Sequence, residues 1–132
     1  MKFLLDTNFC IAVMRGHAGA VAALKVNAPE ACALSAVTLY ELSTGIEKCQ
    51  YPERERGKVA RLLMVIRVLP FGEEEAKHAA SVRAKLEAAG NVCGPYDLLI
   101  AGHALARGLT VVTHNVSEFS RVEGLVVEDW TK

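Results

Sequence analysis

Four acidic side chains could do chemistry together: Asp6 in "MKFLLDTNF", Asp97 in "GPYDLLIAGHAL" and Glu118 in "THNVSEF" stand where a strand ends or a helix begins, and Glu41 in "YELSTG" stands within a helix. Carboxylates gathered at one edge of a sheet repel one another and raise each other's pKa values unless a cation neutralises them. No basic residue adjoins Asp6 to do so. Ligation by oxygen alone suits a hard divalent ion, Mg²⁺ or Mn²⁺. A metal held in this way polarises a phosphoryl oxygen, activates water and stabilises the leaving oxygen. The chemistry indicated is hydrolysis of a phosphoester or phosphodiester.

Each acid also has a plainer reading. Asp6-Thr7-Asn8 can be a turn with Asn8 capping the next helix. Asp97 can be an acid favoured by the dipole of a helix that opens at Pro95. Its helical face continues into Ile100, Ala101 and Ala104, however, and "LLIAGHALA" is apolar nearly all round. A carboxylate at the end of such a buried helix needs a cation or donors. Glu41 shares a stripe with Thr38, Thr44, Gly45 and Lys48, beside an apolar stripe of Leu39, Leu42 and Ile46. That pattern suits a solvated face or a cleft wall, and Gly45 favours the cleft because a missing side chain lets another backbone come close. Asn115 and Glu118 have the spacing of a capping box as well as that of a site.

The elements that must position these acids follow from periodicity and punctuation. Lys2 to Leu5 reads as a buried strand, followed by a helix from Asn8 to about Arg15 closed by Gly16, and a second over Ala18 to Val26. Ala31 to Leu34 is a strand, and Ser35 leads into a helix carrying "VTLYELSTGIEKC". Tyr51 and Pro52 mark a break before a helix from Glu53 to about Ile66, and Val68 to Pro70 is a brief strand. Glu73, Glu74 and Glu75 open a helix to Ala89, Pro95 opens one ending at Gly108, and "LTVVT" and "LVVEDW" close the chain as strands. This alternation indicates the α/β class, a three-layer α/β/α sandwich around a short, mainly parallel sheet. In such sheets ligands gather outside the carboxyl ends of the strands, the edge to which Asp6 and Asp97 belong.

Composition limits what this edge can meet. At 132 residues and 52% hydrophobic, the chain is expected to form one domain spanning 1–132, without repeats or linkers. Its 15 basic and 15 acidic residues cancel, so no long-range field draws in nucleic acid and a polyanion must meet a local patch. The best basic segment is "ERERGKVAR", with Arg54, Arg56, Lys58 and Arg61, but Glu53 and Glu55 dilute it, and it reads equally as a solvated helix face. Cys10, Cys32, Cys49 and Cys93 have no metal-binding spacing and read as reduced core residues. His103, in an apolar helix, reads as a satisfied core residue, whereas His114 is either an RNA contact or an exposed loop residue. In "VARLLMVIRVL" the apolar residues Val59, Leu62, Leu63, Met64, Val65 and Ile66 cover more than one helical face, leaving a part for a partner. With neither a signal peptide nor an apolar run of about 18 residues, the expectation is a soluble cytoplasmic protein with no membrane association.

Taken in order, the strand-DTN start, "YELSTG", "GPYDLLIAGHAL", "LTVVTHNVSEF" and "GLVVEDW" resemble the PIN-domain toxins of VapC type over nearly the whole chain. The resemblance implies a Mg²⁺-dependent endoribonuclease, with Mn²⁺ as the alternative ion, acting as the toxin of a type II toxin-antitoxin pair. It would hydrolyse structured RNA, tRNA foremost, with water and not the ribose 2′-OH as nucleophile, and so inhibit translation. Carried over, the family's acids are Asp6, Glu41 and Asp97, with Asp6 and Asp97 as metal ligands. The family's frequent fourth acid is replaced here by Asn115, and Glu118 is the nearest substitute, so one firm metal and a weaker second are expected. Glu41 and Glu118 would orient or deprotonate the attacking water. Thr7, Asn8, Ser35, Thr113 and Asn115 would aim the carboxylates. A homodimer and a VapB-type antitoxin are also implied, the antitoxin's tail blocking the acidic cleft and its own domain binding operator DNA. Asn115 motivates a rival, a catalytically weakened PIN-like module that binds RNA or protein. A haloacid-dehalogenase-like phosphotransferase wants a second Asp where Asn8 stands, and a receiver domain wants a Lys where Thr113-His114 stands.

Overall fold

The computed structural model describes residues 1–27 and 29–131; Lys132, with which the expected domain closes, lies outside them. The chain begins with strand β1 (Phe3–Leu5), helix α1 (Thr7–Met14) and helix α2 (Ala18–Val26). Strand β2 (Cys32–Ser35), helix α3 (Ala36–Lys48), helix α4 (Pro52–Leu63) and strand β3 (Arg67–Leu69) follow. Helix α5 (Glu73–Ala88), helix α6 (Pro95–Arg107), strand β4 (Thr110–Val112), the single turn α7 (Val116–Phe119) and strand β5 (Val127–Glu128) complete it. A short 3-10 turn at Pro29–Ala31 occupies the position where the second strand was expected to begin.

The five strands pair in the order β3-β2-β1-β4-β5, and every pairing is parallel. Parallel sheets need both faces covered, because each strand sends alternate side chains to opposite sides. In β1, Phe3 and Leu5 pack with Phe9, Cys10, Leu24, Leu42, Leu62 and Trp130, while Leu4 packs on the other face with Val82, Leu86, Ile100, Ala104 and Phe119. Helices α1, α2, α3 and α4 thus cover one face and α5, α6 and α7 the other, giving the expected α/β/α layers. Trp130 lies beyond β5 and sets its ring edge-on to Phe3 and Phe9, at 4.8 and 5.7 Å between centroids.

Two glycines decide local geometry. Gly108 (φ 66°) ends α6 in the left-handed conformation and turns the chain into β4. Gly102 faces α5, where a Cβ would fall 2.4 Å from the Cα of Ala79, so the two helices are in backbone contact there. Gly45 is different: a Cβ there meets nothing within 4 Å, so no backbone approaches it as its position in the helix had suggested.

Among the described residues no single helix is long and apolar enough to cross a membrane, and α1 and α2 meet the criterion only as a pair bent by 106°. No disulfide joins the four cysteines among the described residues; Cys10, Cys32 and Cys93 are buried and Cys49 is half-buried.

Candidate active site

Strands β1 and β4 are neighbours, and the connections leaving their carboxyl ends run to opposite parts of the fold, so a crevice opens between them. Asp6 stands at its mouth, 2% exposed. It, and not Asn8, caps α1: Asp6 Oδ1 accepts from Phe9 N at 2.7 Å. The cap falls two residues earlier than expected because the helix starts at Thr7, directly after the strand. Asp6 Oδ2 accepts from the Thr113 hydroxyl at 2.5 Å, which ties the end of β1 to the end of β4. Burial pushes the Asp6 carboxyl up, and the bonds from Thr113 and Phe9 offset this only in part. Asn8 is exposed and makes none of the side-chain hydrogen bonds found at the site.

Glu41 reaches the same edge from α3. Its Oε1 accepts from Thr7 Oγ1 at 2.5 Å, and that hydroxyl oxygen lies 3.1 Å from the buried Thr38 Oγ1. Ser35 caps α3 by accepting from Val37 N, and its hydroxyl also lies 2.9 Å from Nδ1 of the buried His103. The opposite His103 nitrogen, Nε2, has no hydrogen-bond partner, so this residue is core but only half satisfied. Burial lowers the His103 pKa, which favours the neutral imidazole.

Asp97 and Glu118 complete the edge. Glu118 Oε1 accepts from Gly94 N at 2.5 Å and Oε2 from the Asn115 amide at 2.6 Å. The Asn115 side chain therefore caps no helix, and no capping box forms, since the one-turn α7 gives Glu118 up to the loop before α6. Asn115 instead anchors its backbone, its N–H donating to Thr113 Oγ1 at 2.9 Å. The Gly94 N–H holds the Glu118 carboxyl below the usual range. Burial, with the negative charges of Glu118 and Asp6, pushes Asp97 up to about 7.

One neighbour escaped the sequence reading. Cys93 Sγ joins a carboxylate oxygen from each of Asp97 and Glu118 in a group whose members lie within 4.8 Å of one another. Burial and then Glu118 push its thiol up to about 12, so it is a neutral wall of the site near neutral pH. Its only sequence signal was its place four residues before Asp97.

None of Asp6, Glu41, Asp97 and Glu118 forms an ion pair with Lys, Arg or His among the described residues. Four carboxylates without a protein counter-charge, two of them with pKa values pushed up, fit a hard divalent cation held by oxygen.

Two of the four cations of the expected basic patch are neutralised locally. On α4, Arg56 pairs with Glu53, and Lys58 with Glu55 at 3.3 Å, because i and i+3 share a helix face. Lys58 nevertheless lines a groove of about 320 Å³ with Glu41, Gly45 and Arg15, so the cleft wall exists and Arg15 belongs to it. Arg61 lies in a neighbouring hollow with Val13 and Met14, and Arg54 lies apart with Gln50 and Tyr51. His114 is exposed and turns towards Thr131 (2.9 Å) and Asp129 (3.3 Å). On the apolar run of α4 and its end, Val59, Leu62 and Ile66 enter the core, leaving Met64 83% and Val65 54% exposed.

The chain is similar to known proteins over nearly its whole length. The PIN domain family matches residues 3–125. The chain is 42% identical over 132 residues to a tRNA(fMet)-specific endonuclease VapC of Shigella flexneri, covering 99% of each. It is 40% identical over 131 residues to the VapC of the same description from Salmonella typhimurium, covering 98% of each. Among solved structures, DNA-bound VapBC from Salmonella typhimurium superposes with a TM-score of 0.94 at 40% identity, over 98% of each chain. VapBC2 from Rickettsia felis, bound to a promoter DNA fragment, gives 0.92 at 31% identity, covering 98% of this chain and 99% of its own. With its parallel sheet, its acids at the carboxyl edge and these full-length likenesses, the chain belongs to the PIN-domain family, in its VapC branch.

Proposed function

We propose that the protein is a divalent-metal-dependent endoribonuclease, the toxin of a toxin-antitoxin pair, which hydrolyses phosphodiester bonds of tRNA in the cytoplasm. The observation that carries this reading is that Asp97 sits close to Glu118 and within electrostatic reach of Asp6 and Glu41, with no ion pair to a basic side chain at any of the four among the described residues. The curated relatives described as tRNA(fMet)-specific endonucleases support tRNA as the substrate class.

Asp6 and Asp97 are the residues assigned to hold the metal, which we take to be Mg²⁺, with Mn²⁺ as the alternative. Such an ion supplies Lewis-acid polarisation of the phosphate and a lowered pKa for a bound water. Asp6 is aimed by Phe9 N–H and Thr113, so its position is set before any metal binds. Glu41 spends one oxygen on Thr7 and has the other unengaged among the described residues, so it is suited to orient and deprotonate the attacking water. Both Glu118 oxygens are taken by Gly94 N–H and Asn115, so Glu118 acts by its charge and by placing Asp97. Asn115 serves this network, and the weakened binding module it first suggested is the less favoured reading.

The solved VapBC relatives support a VapB-type antitoxin as partner, with DNA reached through the antitoxin. A homodimer, joined in part through exposed Met64 and Val65, belongs to the same proposal.

The test is incubation of purified, partner-free protein with total tRNA in Mg²⁺ and in EDTA. Cleavage is expected in Mg²⁺ alone, with Asp6→Ala and Asp97→Ala lowering it at least about a hundredfold. Cleavage that survives EDTA or persists in both variants would sink the assignment.

A further inference from the structure

Two exposed aromatic rings stand directly beside the acids. Tyr40 precedes Glu41 on α3, and Tyr96 precedes Asp97 on α6. The rings meet across the two helices with centroids 5.7 Å apart and planes inclined at 51°, and their hydroxyls lie 3.4 Å apart. Tyr40 is 55% and Tyr96 40% exposed, while Phe9, Phe119 and Trp130 are all buried. The pair therefore contributes little to the core, and its outer ring faces are open.

What can use such faces is limited by position. Tyr96 stands one residue before Asp97, assigned to the metal, and Tyr40 one residue before Glu41, assigned to the attacking water, so a group resting on the rings lies beside the acids. A nucleobase is flat, offers a π face whatever its identity, and stacks on aromatic side chains when unpaired. The charge balance strengthens the point. With zero net charge and Arg56 and Lys58 of α4 in local ion pairs, phosphate attraction is a weakened source of affinity here, and stacking is the alternative source. The tilt between the rings also suits a base turned out of a loop more than a continuous base stack.

We propose that Tyr40 and Tyr96 form a platform that seats one unpaired base of the RNA, and so selects which phosphodiester reaches the acids; this rests on the nuclease reading above. Tyr96 makes the larger contribution because it shares α6 with Asp97.

The test uses a short RNA hairpin carrying 2-aminopurine at each unpaired loop position in turn, bound to the full chain in EDTA so that cleavage does not intervene. At one position the wild-type protein and Tyr96→Phe should quench the fluorescence. Tyr96→Ala and Tyr40→Ala should lose the quenching and bind about 10- to 100-fold more weakly, the range for one lost base stack. In Mg²⁺ the alanine variants should raise KM far more than they lower kcat, and should change which bonds are cut. Alanine variants that bind, quench and select bonds like the wild type would overturn the platform. So would unchanged quenching with a halved molecular mass in sedimentation, which would make the rings a subunit contact. Quenching without any Mg²⁺-dependent cleavage would support the platform and count against the nuclease reading instead.

Discussion

At the scale of single residues the site is defined by protons as much as by positions. Without a metal, Asp97 titrates near 7, first because it is buried and then because Glu118 and Asp6 bear negative charge nearby. The unfolded carboxyl titrates near 3.8, so between these values the folded protein holds a proton that the unfolded chain has released. Metal-free stability should therefore decline as pH rises from about 4 to about 7, and Asp97→Asn should flatten that slope. Binding a divalent cation must expel the same proton. Affinity should be fully expressed above about pH 7 and fall by up to about tenfold per unit below it. Calorimetric titration of Mg²⁺ in two buffers of different ionisation enthalpy checks this, with release of close to one proton expected at pH 6 and little at pH 8. Equal heats in both buffers at pH 6 would contradict the assignment of Asp97 as a ligand.

At the scale of elements, the placement of Asp97 depends on how closely α6 lies against α5. Gly102 allows this contact, and the buried Glu75 reinforces it, accepting from Gly72 N at 2.7 Å and from Arg107 Nε at 3.1 Å. The Gly72 N–H holds the Glu75 carboxyl below its usual range. Gly102→Ala puts a methyl into the Ala79 backbone and should cost about 1–3 kcal/mol in urea unfolding. Gly45→Ala, on an open face of α3, should be neutral or stabilising by up to about 1 kcal/mol. If the two substitutions cost the same, close packing of α5 on α6 is not what holds the helix. Much at this scale was legible in the sequence. Helices α5 and α6 were marked by the Glu73-Glu74-Glu75 run, Pro95 and Gly108, because dipole, proline and glycine effects act within one turn. The role of Glu75 was not, since Arg107 lies 32 residues away.

At the scale of the whole molecule, balanced charge sets the terms on which RNA is met. Fifteen positive and fifteen negative side chains give no net field, and local ion pairs on α4 withdraw Arg56 and Lys58 from phosphate contact. Binding of tRNA by Asp97→Asn should thus weaken only gently with salt, with a log-log slope no steeper than about −3, corresponding to about four phosphates or fewer. Fluorescence anisotropy across a salt series measures it, and a slope near −6 would reveal a basic surface that the ion pairs do not predict. Arg56→Ala should change neither slope nor affinity appreciably, because its partner Glu53 already holds it.

The amino-acid sequence by itself determined the layered α/β class and the order of the elements, and it singled out the four acids as candidates, because strand alternation, helix periodicity and chain breaks are encoded over short spans. Only the tertiary structure decided which groups those acids meet. Thr113 reaches Asp6 across 107 residues, Gly94 fixes Glu118 across 24, and Tyr40 finds Tyr96 across 56. Asp6 displaced Asn8 as the cap because α1 starts directly after β1, and Glu118 left its expected capping box because a carboxylate takes a strong donor brought within reach, here Gly94 N–H from the loop before α6.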